Sequence, residues 1–257
     1  MPLNSAKKIN RNSARIVLVC AAALILSGCE GLKIKSSTDH LVSGNEYFKA
    51  GDYAKAEVEY RQALKLEPSN ATAKNNLGVI LNELGKYDEA ITTLSEVTKV
   101  DPNNAIAHYV LANALSKKGM FDQALTEAQE AIKLDKTEPS AYRALSDAAL
   151  GKGDTTTAID ALRDALQLDP DSELSHRKLA QVLGQTEDWE GQIAEERKCL
   201  ELNPDAIDMR LALASSLQKK GMTGDALLEV KKVLAKDPEN GAAKQLMQTM
   251  NANPVAE

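Results

Sequence analysis

Small and apolar side chains return along this chain at a fixed interval of 34 residues. In a frame that begins at residue 37, the seventh position is Leu77, Leu111, Leu145, Leu179 and Leu213, with Ser43 in the first cycle. The eighth is always small (Gly44, Gly78, Ala112, Ser146, Ala180, Ala214), and the twentieth is Ala56, Ala90, Ala124, Ala158, Gln192 and Ala226. Runs that alternate apolar and polar residues are few, so strand signals are weak throughout. Punctuation divides each cycle in two. Gly51, Gly85, Gly119, Gly153 and Gly221 at position 15 mark the end of a first helix, where a left-handed residue is common. Pro68, Pro102, Pro170, Pro204 and Pro238 at position 32 end a second helix. Lys136 takes the missing place in that ladder, and Pro139 follows at the first position of the next helix, where proline is tolerated.

The pattern predicts six helical hairpins, over residues 37–70, 71–104, 105–138, 139–172, 173–206 and 207–240. Within each hairpin, the small residues at positions 8 and 20 let the two helices cross at close range. Beyond 240, Ala242 to Met250 predicts one more amphipathic helix, so that 241–257 forms a capping helix and tail. Two Phe and one Trp are few for a core of this size. Plentiful Ala and Leu suit close helix packing instead, and the fold class is all-α.

These columns resemble the tetratricopeptide repeat family across residues 37–240. The clearest copy is Gly44-Asn45-Glu46-Tyr47, then Gly51-Asp52-Tyr53, Ala56, Tyr60, Ala63-Leu64 and Leu66-Glu67-Pro68. The resemblance implies a right-handed superhelical solenoid of six helix-turn-helix repeats plus a C-terminal capping helix, whose concave surface binds proteins or extended peptides. The fifth repeat departs most, with Glu187 for Gly, Gln192 for Ala and Cys199 for a small Ala. It is expected to be the first to open.

In the family the groove is lined by the first helix of each pair, at positions 2, 5, 6, 9, 12 and 13. Those columns give Asn45, Asn75, Asn76, Asn82, Tyr109 and Asn113 in the first three repeats. An asparagine amide both donates to and accepts from an extended peptide backbone. Arg143, Arg177 and Lys178 then form a basic patch suited to an acidic segment. A chaperone-tail carboxylate clamp is not expected, because Leu41, Ile106 and Val110 stand where that clamp has Lys, Lys and Arg.

Charge and chemistry narrow the function. The chain carries 31 basic and 37 acidic residues, a formal charge of −6. Lys7, Lys8, Arg11 and Arg15 have no acid beside them in the first 28 residues, so the remainder stands at −10. Without a basic stripe, nucleic acid is not an expected partner. His40, His108 and His176 share position 4 of alternate repeats, too far apart for one metal ion, and fit an inter-repeat packing position. With no phosphate loop, zinc spacing or nucleophile constellation, neither metal, cofactor nor catalysis is expected. Cys199, alone in an amphipathic helix, is read as a small buried apolar residue.

The start of the chain has a basic stretch followed by an 11-residue apolar run, Ile16 to Leu26, too short for a bilayer span and typical of a secretory signal. Leu26-Ser27-Gly28-Cys29 resembles the bacterial lipoprotein box. That resemblance implies a signal peptide over 1–28, lipidation of Cys29 and a short tether to residue 36. It places the protein in the bacterial envelope, on the outer membrane facing the periplasm. The leading expectation is a membrane-anchored scaffold or adaptor, with similar small lipoproteins serving pilus or secretion assembly. The other is a non-catalytic subunit that recruits substrates for a cell-wall or polysaccharide enzyme.

Overall fold

A computed structural model describes residues 35–252. The proposed signal peptide, Cys29, most of the tether and the tail after 252 lie outside the described residues. Among the described residues every regular element is a helix, and there are thirteen. The first repeat pairs α1 (Ser37–Lys49) with α2 (Tyr53–Leu66), the second α3 (Ala71–Glu83) with α4 (Tyr87–Val100), and the third α5 (Ala105–Lys117) with α6 (Phe121–Leu134). The fourth pairs α7 (Pro139–Gly151) with α8 (Thr155–Leu168), the fifth α9 (Glu173–Gln185) with α10 (Trp189–Leu202), and the sixth α11 (Ile207–Lys219) with α12 (Thr223–Lys236). A last helix, α13 (Gly241–Ala252), packs on α12 and α11 and covers the end of the stack. Each helix otherwise packs on its neighbours in sequence, which makes the fold a solenoid.

The hairpin turn follows from three residues. After α1, Gly51 adopts φ +74°, which turns the Asp52 N–H back to the Tyr47 carbonyl at 2.9 Å. Asp52 then caps α2 by accepting from the Lys55 backbone N–H at 3.2 Å. The other glycines of this column lie at φ 71–87°. In the fifth repeat Glu187 holds the same conformation, at φ 60°, with a side chain that disfavours it. Glu187→Gly is therefore expected to stabilise that repeat by about 1 kcal/mol. A higher urea midpoint of Trp189 fluorescence checks this; an unchanged or lower midpoint rejects it.

Between repeats, Asn70 and Asn104 cap the following helices through the N–H groups of Ala73 and Ala107, at 2.9 and 3.0 Å. Pro139 occupies the first turn of α7, behind a Glu138 cap.

Packing explains the small columns. A Cβ on Gly44 would lie 2.5 Å from the Tyr60 ring, and one on Gly78 would lie 2.7 Å from Leu94. Ala90, Ala124, Ala158 and Ala226 are fully buried. Position 24 supplies the core residues Tyr60, Leu94, Ala128, Leu162 and Val230, but the fifth repeat places Glu196 there. The core is accordingly segmented. One cluster joins the first three repeats and reaches Ala148 of the fourth, and a small one of Ala112, Ala128 and Ala144 lies between the third and fourth. Another joins the fourth and fifth, and the last runs from Ile193 through the sixth repeat into α13. Along the edge of the hairpin turns, Lys118–Asp88, Lys152–Asp122 and Lys220–Glu190 bridge successive repeats. Thr156 and Thr186 stand at the corresponding places between the fourth and fifth.

Candidate groove on the first helices

Two recesses, of about 230 and about 630 Å³, share Phe48 and Val79 and together run along the first helices from repeat one to repeat five. Of the residues expected there, Asn45 and Asn76 line the smaller recess; Asn82, Tyr109, Asn113, Arg143 and Lys178 line the larger. The asparagines are held in place from below. Asn45 Oδ1 accepts from Tyr60 Oη at 2.7 Å and from Asn76 Nδ2 at 3.0 Å. The Asn45 amide N–H groups and the Asn76 carbonyl oxygen are thereby left for a ligand. Asn82 Nδ2 donates to the Val110 carbonyl at 3.1 Å, tying repeat two to repeat three.

Three residues behave otherwise than expected. Asn75 does not line the groove: it is 5 % exposed and donates from Nδ2 to Asn104 Oδ1 at 3.1 Å, a contact between repeats. Its short side chain reaches the turn that caps α5 instead of the concave face. Arg177 is taken up by Glu173 at 2.9 Å and Asp208 at 2.5 Å, and Lys178 by Asp147 at 2.5 Å. The basic patch thus reduces to Arg143. Its Nη2 donates to Ser140 Oγ at 2.8 Å and its Nη1 to Ser175 Oγ at 3.4 Å, and among the described residues no carboxylate lies within ion-pair distance of it. Lys49 and Lys117 on the same lining are likewise without a carboxylate partner among the described residues. Four cations and two carboxylates (Glu83 and Asp147) line the two recesses, a local excess of positive charge on an acidic protein. Burial raises the Tyr109 phenol, which stays protonated and able to donate.

Phe48, Leu174, Lys117 and Tyr87 complete the lining. Phe48 is 40 % exposed and Leu174 53 %, an apolar component that the asparagine and arginine pattern did not reveal. Phe48, Leu174 and Lys117 sit at positions 12, 2 and 13, so reading those columns through every repeat would have found them. Tyr87 comes from a second helix and carries no such signal.

Two of the three histidines, His108 and His176, make contacts between repeats, whereas among the described residues His40 meets only Glu59 of its own repeat. His108 and His176 are buried, and each bonds a glutamate of its own repeat and the carbonyl of the preceding turn. Among the described residues, no cluster of His, Cys, Asp and Glu is arranged to hold a metal ion, and no helix is long and apolar enough to cross a membrane. Cys199 is fully buried, and burial pushes its thiol up to about 11.

Comparison with known proteins agrees with this architecture. Solved structures that resemble the chain include TTC0263, a thermophilic tetratricopeptide-repeat protein of Thermus thermophilus (TM-score 0.66, 22 % identity, covering 71 % of this chain and 100 % of that one). PilF of Pseudomonas aeruginosa superimposes with a TM-score of 0.62 at 17 % identity, over 83 % of this chain and 97 % of that one. YrrB, a tetratricopeptide-repeat protein with an unusual peptide-binding site, gives 0.56 at 15 % identity, over 74 % and 97 %. At such identities the likeness is one of fold. No curated protein matches the chain significantly. Models of the tetratricopeptide repeat match residues 47–108, 85–148 and 139–182, together just over half of the sequence. The chain belongs to the tetratricopeptide repeat family.

Proposed function

We propose that this protein is a membrane-anchored scaffold of the bacterial cell envelope whose groove holds an extended, acidic segment of a partner protein. Tetratricopeptide repeats are protein-interaction scaffolds, and the observation that carries the finer reading is the lining of the groove. Asparagine amides are placed for backbone bonding, Phe48, Val79 and Leu174 offer apolar contact, and Arg143 supplies a bidentate donor without a carboxylate of its own. YrrB, which shares the fold, has a peptide-binding site. The anchor rests on Leu26-Ser27-Gly28-Cys29, and stable attachment needs more than one acyl chain. Similar small lipoproteins serve pilus or secretion assembly or act as adaptors for cell-wall enzymes, and for this chain we favour the first.

Two measurements test the proposal. A fluorescein-labelled peptide of alternating Glu and Leu is expected to bind, and its Lys-Leu counterpart not. Arg143→Glu should weaken binding of the acidic peptide at least about tenfold, which is about 1.4 kcal/mol. Equal binding of both peptides rejects the acidic groove. Cys29→Ala should move the protein from the membrane to the soluble fraction of cells; retention in the membrane rejects lipid anchoring.

A further inference from the structure

The histidine contacts repeat with one geometry. His108 Nδ1 lies 2.6 Å from Glu127 Oε2, and its Nε2 lies 3.0 Å from the Pro102 carbonyl oxygen. His176 repeats this 68 residues on, with Glu195 Oε2 at 2.6 Å and the Pro170 carbonyl at 2.9 Å. A carbonyl oxygen only accepts, and so does an ionised carboxylate. Neutral imidazole has one N–H and can make one of the two bonds; imidazolium makes both.

The sixth repeat shows which form the site is built for. Arg210, at the same register, donates from Nη1 to Glu229 at 2.7 Å and from Nη2 to the Pro204 carbonyl at 2.7 Å. A permanent cation thus occupies the place that His108 and His176 fill. In the fourth repeat, Tyr142 Oη, a neutral donor, reaches the equivalent Lys136 carbonyl at 3.2 Å, and no carboxylate pairs with it. In the first, His40 Nδ1 meets Glu59 at 2.6 Å, a carboxylate that Lys35 also approaches. There burial alone would raise Glu59, but the bonds from His40 and Lys35 outweigh it and hold the carboxyl below its ordinary range.

We infer that His108 and His176 are charged staples that fasten repeat three to repeat two and repeat five to repeat four, and that these two junctions loosen as the imidazoles lose their protons. Imidazole is the side chain that ordinarily changes charge between about pH 5 and 8. The protonated ring makes both bonds and the neutral ring only one. The other charged groups nearby are engaged with one another. One turn beyond Glu127, Glu130 pairs with Lys133 at 2.9 Å; one turn beyond Glu195, Lys198 pairs with Glu201 at 2.6 Å. Across the neighbouring repeat, Lys74 pairs with Glu96 at 3.1 Å, and the Asp101 carboxylate accepts from the Asn103 backbone at 3.2 Å. Asp171 shares a recess with His176 and adds negative charge on that side.

The test is urea unfolding of the full chain, followed by circular dichroism near pH 5.5 and near pH 8. It is carried out in a His40→Gln, Glu196→Gln background, so that neither the third histidine nor the buried carboxyl of the fifth repeat contributes. The unfolding constant should be several-fold larger near pH 8 than near pH 5.5. His108→Arg with His176→Arg should hold the acid-pH stability at both. His108→Gln with His176→Gln, which keeps a neutral donor, should show the weaker stability at both, and serves equally well should the arginine variant not fold. A parent protein indifferent to pH, or variants that keep the parent's pH dependence, would overturn the inference.

Discussion

Replacing Glu196 with leucine is expected to stabilise the fifth repeat by about 2 kcal/mol, because it removes a buried acid whose partners are incomplete. Glu196 is 2 % exposed and sits in the column that elsewhere holds Tyr60, Leu94, Ala128, Leu162 and Val230. Its Oε1 accepts from Ser216 Oγ at 2.9 Å and Gln192 Nε2 at 2.8 Å, while Oε2 and Gln192 Oε1 are buried without a partner. Burial raises the carboxyl above its ordinary range, against the lowering effect of those two bonds. Below the ordinary carboxylate range the group is protonated whether folded or not, and costs nothing extra. As pH rises from there towards the folded value, the unfolded chain ionises first and the fifth repeat loses stability.

The chain supplies its own probes of this prediction. Trp189 is the single tryptophan, and the Lys219 ammonium of the next repeat stands 4.6 Å from its ring centroid, so its fluorescence reports this junction. Cys199 is fully buried and its thiol raised, so it can be alkylated only when the repeat opens. In the parent protein, Cys199 alkylation should outpace global unfolding. Glu196→Leu should slow it about thirtyfold, the kinetic equivalent of about 2 kcal/mol. Equal rates in the two proteins would place the weak point elsewhere.

Leu94→Ala should cost about 3 kcal/mol, the usual result of emptying a fully buried leucine site. Leu94 is 0 % exposed and lies in the cluster that joins the first three repeats. In a solenoid each repeat leans on its neighbours, so the loss should remain in that half. Circular dichroism should resolve an early transition for the first three repeats, while the Trp189 transition stays where it was. A common shift of both signals would show that the core clusters unfold as one unit.

Much of this fold was legible in the sequence because its causes are local and recur. Positive φ is needed where a hairpin turns, and glycine marks that place in five repeats. Close helix crossing needs a small residue, which the columns of Gly44 and Ala56 supply. The anomalous fifth repeat was visible in Glu187 and Gln192, but the buried charge of Glu196 was not singled out. Recognising it required knowing that position 24 faces the core.

The groove was legible only in part, since a column fixes where a side chain starts and not what captures it. Asn75, Tyr109, Arg143 and Arg177 all stand at position 5, yet only Tyr109 and Arg143 line the cavity. Asn75 is drawn to Asn104 in the next turn, and Arg177 is held by Glu173 and Asp208. A signal did exist for the ion pairs. Asp147 and Lys178 are 31 residues apart, as are Arg177 and Asp208, and that spacing brings first helices of successive repeats side by side. Opposite charges at that interval mark a neutralised site. Arg143 has Leu174 at that interval and Ala112 behind it, and it keeps its charge for a ligand.

A charge exchange across the groove tests the central claim most directly. The Glu-Leu peptide should bind the parent protein, lose at least about tenfold in affinity for Arg143→Glu, and regain it when the glutamate facing that position is replaced by lysine. Lys231→Glu, an exposed change on α12, should leave every affinity as it was. If Arg143→Glu binds the original peptide as tightly as the parent, or if Lys231→Glu weakens it equally, the groove on the first helices is not where this protein holds its partner.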